Sequence, residues 1–411
     1  MSGALCLVAE DDHDGLWWTE VTEFLDQVTA WFDQAHAGWP EDRLDLDLDR
    51  YFHQSDDTRL YLYDDLAPYR NGFVRFSPAR NNTMRIGRGT ASSKSVKGGK
   101  HRFGYLADIG DVDVPPRAWA DISAQINPNT NLDRRIRRRE VSVVMLTYRR
   151  GRHDGTITLE VWPTTDHGVA VRRLRSAADT DAARSARAGL LAPELHRHHV
   201  AVVGVGALGS FIADMLARSG VRRLTLVDHD VVEPGNVVRH LVGPDTVGLP
   251  KVEAVRRHIA ARGPLQAGDI AVIGDALSSG DSAAELIQGH SLVINATADF
   301  ATTALLHLTA EALDTHILSA ALQNDGETYR IDVLPPLGNA EPLPLSDADA
   351  TSAQQLLFDS GCGSPISPTP PHAVIEAASA AARHAIGLLV DRPLHPAGEV
   401  HHHRLDERTR Q

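Results

Sequence analysis

HVAVVGVGALGSFIADMLARSGVRRLTLVD, residues 199–228, is the stretch that decides the fold. HVAVVG is short and, after its histidine, apolar throughout, as a strand buried on both faces must be. GSFIADMLARSG has helical texture and stops at Gly220. RLTLVD is a second short strand. The alternation continues downstream. PKVEAVRRHIAAR predicts a helix with Pro250 at its first position, where a missing N–H costs least. DIAVIG, SLVINAT and THILSA extend the strand series. Strands alternating with helices predict an α/β domain, a mainly parallel sheet covered by helices on both faces.

The turn between the first strand and helix reads Gly204-Val-Gly206-Ala-Leu-Gly209. Glycines there let the backbone turn tightly and approach a phosphate-bearing ligand, and the helix start offers free N–H groups and partial positive charge. Asp228 ends the next strand about 20 residues on, where an acid accepts hydrogen bonds from ribose hydroxyls in Rossmann-like sheets. Alone, this loop suits NAD or FAD as well as ATP. The residues beyond it shift the balance: Asp228-His-Asp230, Asn236-Val-Val-Arg239 and Gly248-Leu-Pro-Lys251 follow in order. A dehydrogenase has no use for that Asn, Arg and Lys. Attack on the α-phosphate of ATP does, because a pentavalent phosphorus and departing pyrophosphate gather negative charge that placed cations stabilise. Asp299, in NATADF at a later strand end, is a candidate for holding Mg²⁺ against the triphosphate.

These five parts resemble, in order and spacing, the ThiF/MoeB/HesA and ubiquitin-activating-enzyme family, most closely the adenylation half of bacterial conjugating/activating enzyme fusions of antiphage systems. The resemblance spans roughly residues 184–390. It implies ATP-dependent adenylation of the C-terminal carboxylate of a ubiquitin-like protein. It implies that Asp228 holds the ribose, that Asn236, Arg239 and Lys251 face the phosphates, and that Asp299 meets Mg²⁺. It implies a homodimer, in which Arg187 is the match for an arginine that reaches the partner's nucleotide. Zinc-binding members carry two Cys-x-x-Cys pairs; this chain has none, so no structural zinc is expected. Thr303 or a near neighbour replaces an arginine common past the magnesium Asp.

Two cysteines remain. Cys362, in Asp-Ser-Gly-Cys362-Gly-Ser-Pro, sits where resembling enzymes place the thiol that takes the acyl group as a thioester. The helix that follows would favour its thiolate. Leu5-Cys6-Leu7 with Trp17-Trp18 resembles the segment around the cysteine of ubiquitin-conjugating enzymes, without the β-meander that should precede it. Residues 1–45 thus read as a remnant of such a domain, as the end of one whose true start lies upstream, or as carrying only a packing cysteine near a terminus.

Working outward, Trp17, Val21, Phe24, Leu25, Val28 and Phe32 recur at helical spacing over 12–37, a stripe expected to pack as core. Residues 46–175 read as an α+β linker domain, with RLYLYDDL, VSVVMLTYRR and TITLEVW as strands and GRHDG as a hairpin turn. Asp133 to Arg139, DRRIRRR, is a basic run expected to be solvated. The adenylation domain is expected over 176–411, with an irregular crossover loop at 334–371 and then the helix HAVIEAASAAARHAIGLL. His401 to His403 read as a solvated tail rather than a metal site.

The chain has 411 residues with a net charge of −13, which argues against a general nucleic-acid or anionic-membrane surface. The absence of a long apolar run and of a basic, apolar leader leads to the expectation of a cytoplasmic protein without a membrane span. Two rival functions stay open: adenylation of a peptide or sulfur carrier without a thioester, and a non-catalytic dinucleotide-binding or scaffold protein.

Overall fold

The computed structural model describes residues 20–37, 48–89, 101–112, 114–116, 118–150, 153–263, 265–338, 340–344, 357–358, 365–366 and 368–403. Contacts divide the chain into Met1–Thr180 and Asp181–Gln411. The texture of the sequence suggested a break a few residues earlier, at 175/176, and a further one at 45/46.

The first unit opens with helix α1 (Val21–Ala37). Its apolar stripe is not core: Val21, Phe24, Leu25 and Phe32 are exposed, since among the described residues nothing covers that face. A mixed eight-stranded sheet follows, built from β1 (Leu60–Tyr63), β2 (Gly72–Pro78), β3 (Thr83–Arg88), β4 (Arg102–Asp111), β5 (Val143–Arg150), β6 (His153–Pro163), β7 (Val169–Leu174) and β8 (Ser176–Ala178). The spatial order is β7-β6-β5-β4-β2-β3-β1-β8. Two short helices, α2 (Trp119–Ser123) and α3 (Leu132–Arg137), pack on one face. The basic run falls on α3 and just beyond. Leu132 and Ile136, one helical turn apart, are buried, while Arg134 and Arg137 to Arg139 stay exposed.

The second unit begins with short helices α4 (Asp181–Ser185) and α5 (Ala192–Leu195). Then come β9 (His199–Val203), α6 (Ala207–Ser219), β10 (Arg223–Val227), α7 (Lys251–Arg262), β11 (Ile270–Ile273), α8 (Gly280–Gln288), β12 (Leu292–Asn295), α9 (Phe300–Ala312), β13 (Ile317–Gln323) and β14 (Thr328–Leu334). The minimal pair β15 (Leu357–Phe358) and β16 (Pro365–Ile366), α10 (Pro371–Leu389) and β17 (Gly398–His402) complete it. The sheet order is β11-β10-β9-β12-β13-β14-β17. Neighbours from β11 to β13 are parallel, and β14 and β17 add antiparallel strands at one edge. This is a Rossmann-like α/β sheet.

Strand β9 explains why its sequence is apolar from Val200 to Val203. Val200 and Val202 join one core, shared with Ile212 and Leu216 of α6 and Ala381 and Ala385 of α10. Ala201 and Val203 face the opposite core, with Leu286 of α8 and Leu306 of α9. Alternate side chains point to opposite faces, so a sheet covered on both sides needs apolar residues at every position.

Two expectations fail locally. Pro250 is the N-cap of α7 rather than its first residue, with ψ of 135°; its missing N–H is harmless in either place. His401 and His402 are not tail. They belong to β17, paired in register with Tyr329 and Thr328 of β14. Among the described residues no helix is long and apolar enough to cross a membrane.

Candidate active site

Strand order reverses beside β9. The chain leaves it for β10 and β11 on one side and for β12 and β13 on the other. The loops leaving β9 and β12 therefore diverge and open a crevice at their carboxyl ends, the usual ligand position in such sheets. A cavity of about 650 Å³ lies there. Gly204 and Gly206, Asp228 and Asp230, Lys251, Asp275 and Ser278, and Thr297 and Asp299 reach its wall from four successive strand ends and the start of α7.

The glycine turn is shaped by two different constraints. Gly204 has a φ of 82°, and a Cβ on it would stand 2.8 Å from the Thr297 amide nitrogen. At Gly209, in the first turn of α6, a Cβ would fall 1.8 Å from the Gly204 carbonyl oxygen. Gly206 differs: its nearest neighbour would be the His240 ring, at 3.9 Å. No protein atom requires a glycine at 206, but it lines the cavity.

Asp228 ties the turn to the next loop. Its Oδ2 accepts from the Val205 amide at 2.8 Å and its Oδ1 from the Asp230 amide at 2.9 Å. Asp230 in turn receives the Lys251 ammonium, Nζ to Oδ2 at 2.7 Å. The Lys251 amide donates to the Asp230 carbonyl at 2.9 Å, so backbone and side chain hold the same pair. That hydrogen bond from Lys251 keeps the Asp230 carboxyl below its ordinary value. The Lys251 side chain is only 13% exposed, so its charge sits in the cavity wall rather than in bulk water.

Asp299 is the N-cap of α9 and accepts from the Thr302 amide at 2.7 Å. This bond, with others from Thr302 and Ala301, holds its carboxyl below the usual range. A carboxylate has about four lone-pair sites, and these donors draw on them. What is left fits one bond to a divalent cation, which is how Mg²⁺ is held when substrate phosphates supply other ligands. Asp228, His229 and Asp230 also bring donor atoms within 4.8 Å of one another. That trio suits magnesium less well, since it includes an imidazole and Asp228 is already engaged by two amides.

Behind Asp299 lies a residue that sequence reasoning missed. Asn295, 1% exposed at the end of β12, donates to Thr303 Oγ1 at 2.7 Å and Ser319 Oγ at 3.2 Å. Its Oδ1 accepts from the Thr297 hydroxyl at 2.8 Å and amide at 3.2 Å. Thr303 Oγ1 donates to the Asp299 carbonyl at 2.7 Å. Thr303 thus helps seat the Asp299 turn. Asn295→Ala would leave these buried partners unsatisfied, at about 1–3 kcal/mol. The expected result is a lower denaturation midpoint together with weaker nucleotide binding, both measurable on the same preparation.

Asn236 and Arg239 are not brought into the cavity wall. Asn236 Oδ1 instead caps its own 3-10 turn, Pro234–Asn236, accepting from the Glu233 amide at 3.0 Å. Arg239 lies near His240, whose ring was also not anticipated. Burial, with the charges of Lys251 and Arg239, depresses His240 to about 4. The only sequence signal for it was its place directly after Arg239. Arg187 is exposed between α4 and α5 and does not line the cavity. Cys362 and Cys6 lie outside the described residues.

His199 is likewise depressed to about 4, by burial, then by His290 and Arg223. Both rings are therefore neutral in the folded chain at pH 7, whereas unfolded histidines take up a proton below about 6.5. Between pH 6.5 and 4 the unfolded state binds more protons, so this contribution is full above 6.5 and is lost as pH falls towards 4. The thermal midpoint should drop from pH 7.5 to pH 5, and less steeply in a His199→Gln, His240→Gln double variant.

A second cavity, of about 490 Å³, lies in the first unit against Arg102, Glu160, Trp162 and Arg172. Arg102 and Arg172 there are already paired, with Glu160 and Asp56.

The ThiF family profile matches residues 186–402, just over half of the chain. An uncharacterized protein of Sinorhizobium fredii is 52% identical over 65 residues, 16% of this chain and 11% of that protein. Ubiquitin-like modifier-activating enzyme 5 of Culex quinquefasciatus is 50% identical over 64 residues, 16% of each chain. The matched stretch thus spans well under a fifth of these relatives' length. The solved structure of E. coli MccB is 17% identical, covering 54% of this chain and 69% of that one with a TM-score of 0.41.

Proposed function

The chain belongs to the ThiF family, and from that premise we propose that it binds ATP in the cavity beside Gly206 and adenylates the C-terminal carboxylate of a ubiquitin-like or sulfur-carrier protein. One observation carries the reading: an ammonium, Lys251, paired with Asp230 at 2.7 Å in the wall of a switch-point cavity. A nicotinamide dinucleotide is bound there without losing pyrophosphate, so its site needs no cation for a leaving group. A site that expels pyrophosphate does.

In this reading the ribose hydroxyls lie at Asp228 and the triphosphate runs past Gly206 and the start of α6, whose N–H groups and dipole favour the anion. A carrier carboxylate oxygen attacks the α-phosphorus, the bond to the bridging oxygen breaks, and pyrophosphate leaves with its electron pair. Lys251 neutralises charge growing on the phosphates and exchanges its Asp230 contact for them. Arg239, which does not line the cavity in this structure, would serve as a second cation once the loop before α7 turned it inward. Mg²⁺, when held at Asp299, would screen the triphosphate charge.

A Cys362 thiolate would then attack the acyl carbon of the mixed anhydride, forming the thioester and releasing AMP. A conjugating enzyme is the partner that would receive the acyl group. Exposed apolar side chains of the same unit, Val238, Val272, Ile273 and Phe300, are consistent with a homodimer or with carrier docking.

ATP–pyrophosphate exchange on the full chain tests the reading. Exchange should need a carrier with a free terminal carboxylate, and exchange indifferent to that carboxylate would refute adenylation of it. Cys362→Ala should leave exchange intact and abolish a thiol-sensitive adduct. If the adduct survives that change, Cys362 is not the acceptor.

A further inference from the structure

We propose that Glu376, His401 and His403 form a zinc(II) site that joins β17 to α10. The three side chains offer one donor atom each, and these atoms lie within 4.8 Å of one another. Two elements far apart in sequence meet here: Glu376 comes from the first third of α10, and His401 and His403 from the end of β17 and the residue just past it. Strand periodicity accounts for the pair, because residues two apart point to one face. His402 points the other way, with Nδ1 3.0 Å from Thr328 Oγ1.

His403 Nε2 stands 3.1 Å from Glu376 Oε2. With metal–ligand bonds of about 2.0–2.1 Å, adjacent ligands of a tetrahedral zinc are about 3.3 Å apart. The same Nε2 is buried and makes no hydrogen bond, although a carboxylate oxygen is so near. A cation between the two atoms would satisfy both. The rings are held from behind. His401 stacks on Tyr329, with centroids 5.1 Å apart, and the Tyr329 hydroxyl donates to Glu399 at 2.9 Å. The His403 amide donates to the Glu327 carbonyl at 2.7 Å.

Two imidazoles and one carboxylate favour a borderline metal such as Zn²⁺ over Mg²⁺ or Ca²⁺, which take oxygen ligands. Glu376 and His401 are exposed, so an ion has a path in and a water can complete the coordination. The lack of Cys-x-x-Cys pairs excludes a thiolate site, but this one uses no thiolate. It is also separate from the Asp228, His229 and Asp230 cluster, which belongs to the nucleotide cavity.

The test uses the full chain, stripped with a chelator and desalted. Zn²⁺ is titrated in against a chromogenic chelator, and Co²⁺ is followed in parallel by its visible absorption. One equivalent should bind. Glu376→Gln and His403→Ala should each weaken it by more than about tenfold, with circular dichroism confirming that the fold is kept. His402→Ala and His229→Ala should leave it unchanged. Zinc should raise the thermal midpoint of the parent chain but not that of His403→Ala. The proposal is overturned if no zinc binds at micromolar concentration. It is overturned equally if Glu376→Gln with His403→Ala binds as the parent does, or if His402→Ala or His229→Ala removes the site.

Discussion

Lys251→Ala should lower carrier-dependent pyrophosphate exchange by about 10²–10³-fold, the usual consequence of deleting one donor to transition-state charge. The side chain sits in the cavity wall with its ammonium 2.7 Å from Asp230. Its removal takes away the charge that meets the phosphates. Stability should change little, because Asp230 is half-exposed and can be hydrated instead. The loss should therefore appear in kcat/KM while the melting temperature holds. Lys251→Arg should restore only part of the rate, because a planar guanidinium does not occupy the place of a compact ammonium. A fall in rate matched by a collapse of the fold would assign Lys251 a structural role instead.

The second large effect concerns stability. Gly209→Ala places a methyl 1.8 Å from the Gly204 carbonyl oxygen, and that oxygen belongs to backbone held by the Val205 amide on Asp228 and the Gly204 amide on the Val227 carbonyl. Overpacking a core usually costs about 1–3 kcal/mol; here the obstacle is a main-chain turn rather than a side chain that can swing away. A denaturant midpoint should register a loss at or above the top of that range. Gly206→Ala makes the contrast. Its methyl would meet nothing closer than the His240 ring at 3.9 Å. That variant should fold like the parent yet bind ATP poorly, because the added carbon stands where the phosphates pass. If Gly206→Ala bound ATP normally, the triphosphate would have to lie elsewhere.

Much of the second unit was legible because each local signal agreed with the next. The apolar VAVV run, the glycine turn and the stop at Gly220 agree on one strand–turn–helix unit of a covered sheet, and the structure has that unit. Asp228, Asp230, Lys251 and Asp299 were found because they stand at strand ends or a helix start, where chain order fixes position. Asn236 and Arg239 could not be placed that way. Asn236 ends, and Arg239 follows, a 3-10 turn whose direction depends on its own cap. Asn295 escaped because its importance lies in hydrogen bonds to Thr303 and Ser319, and His240 because its burial beside Lys251 and Arg239 is a product of the fold, none of which spacing reveals. The antiparallel edge β14–β17 was missed because it pairs residues from opposite sides of α10. The stripe on α1 looked like core because periodicity reports an amphipathic face and says nothing of what covers it. In the first unit, strands were recognisable but their order was not, since β1 lies parallel to both β3 and β8.

The central claim is that the cavity beside Gly206 is built for a triphosphate. Calorimetric titration of the full chain with ATP and Mg²⁺, and separately with NAD, tests it most directly. The account predicts one ATP bound per chain, weakened by Lys251→Ala, and little or no heat from NAD. Tighter binding of NAD than of ATP, or ATP binding unchanged in Lys251→Ala, would contradict it.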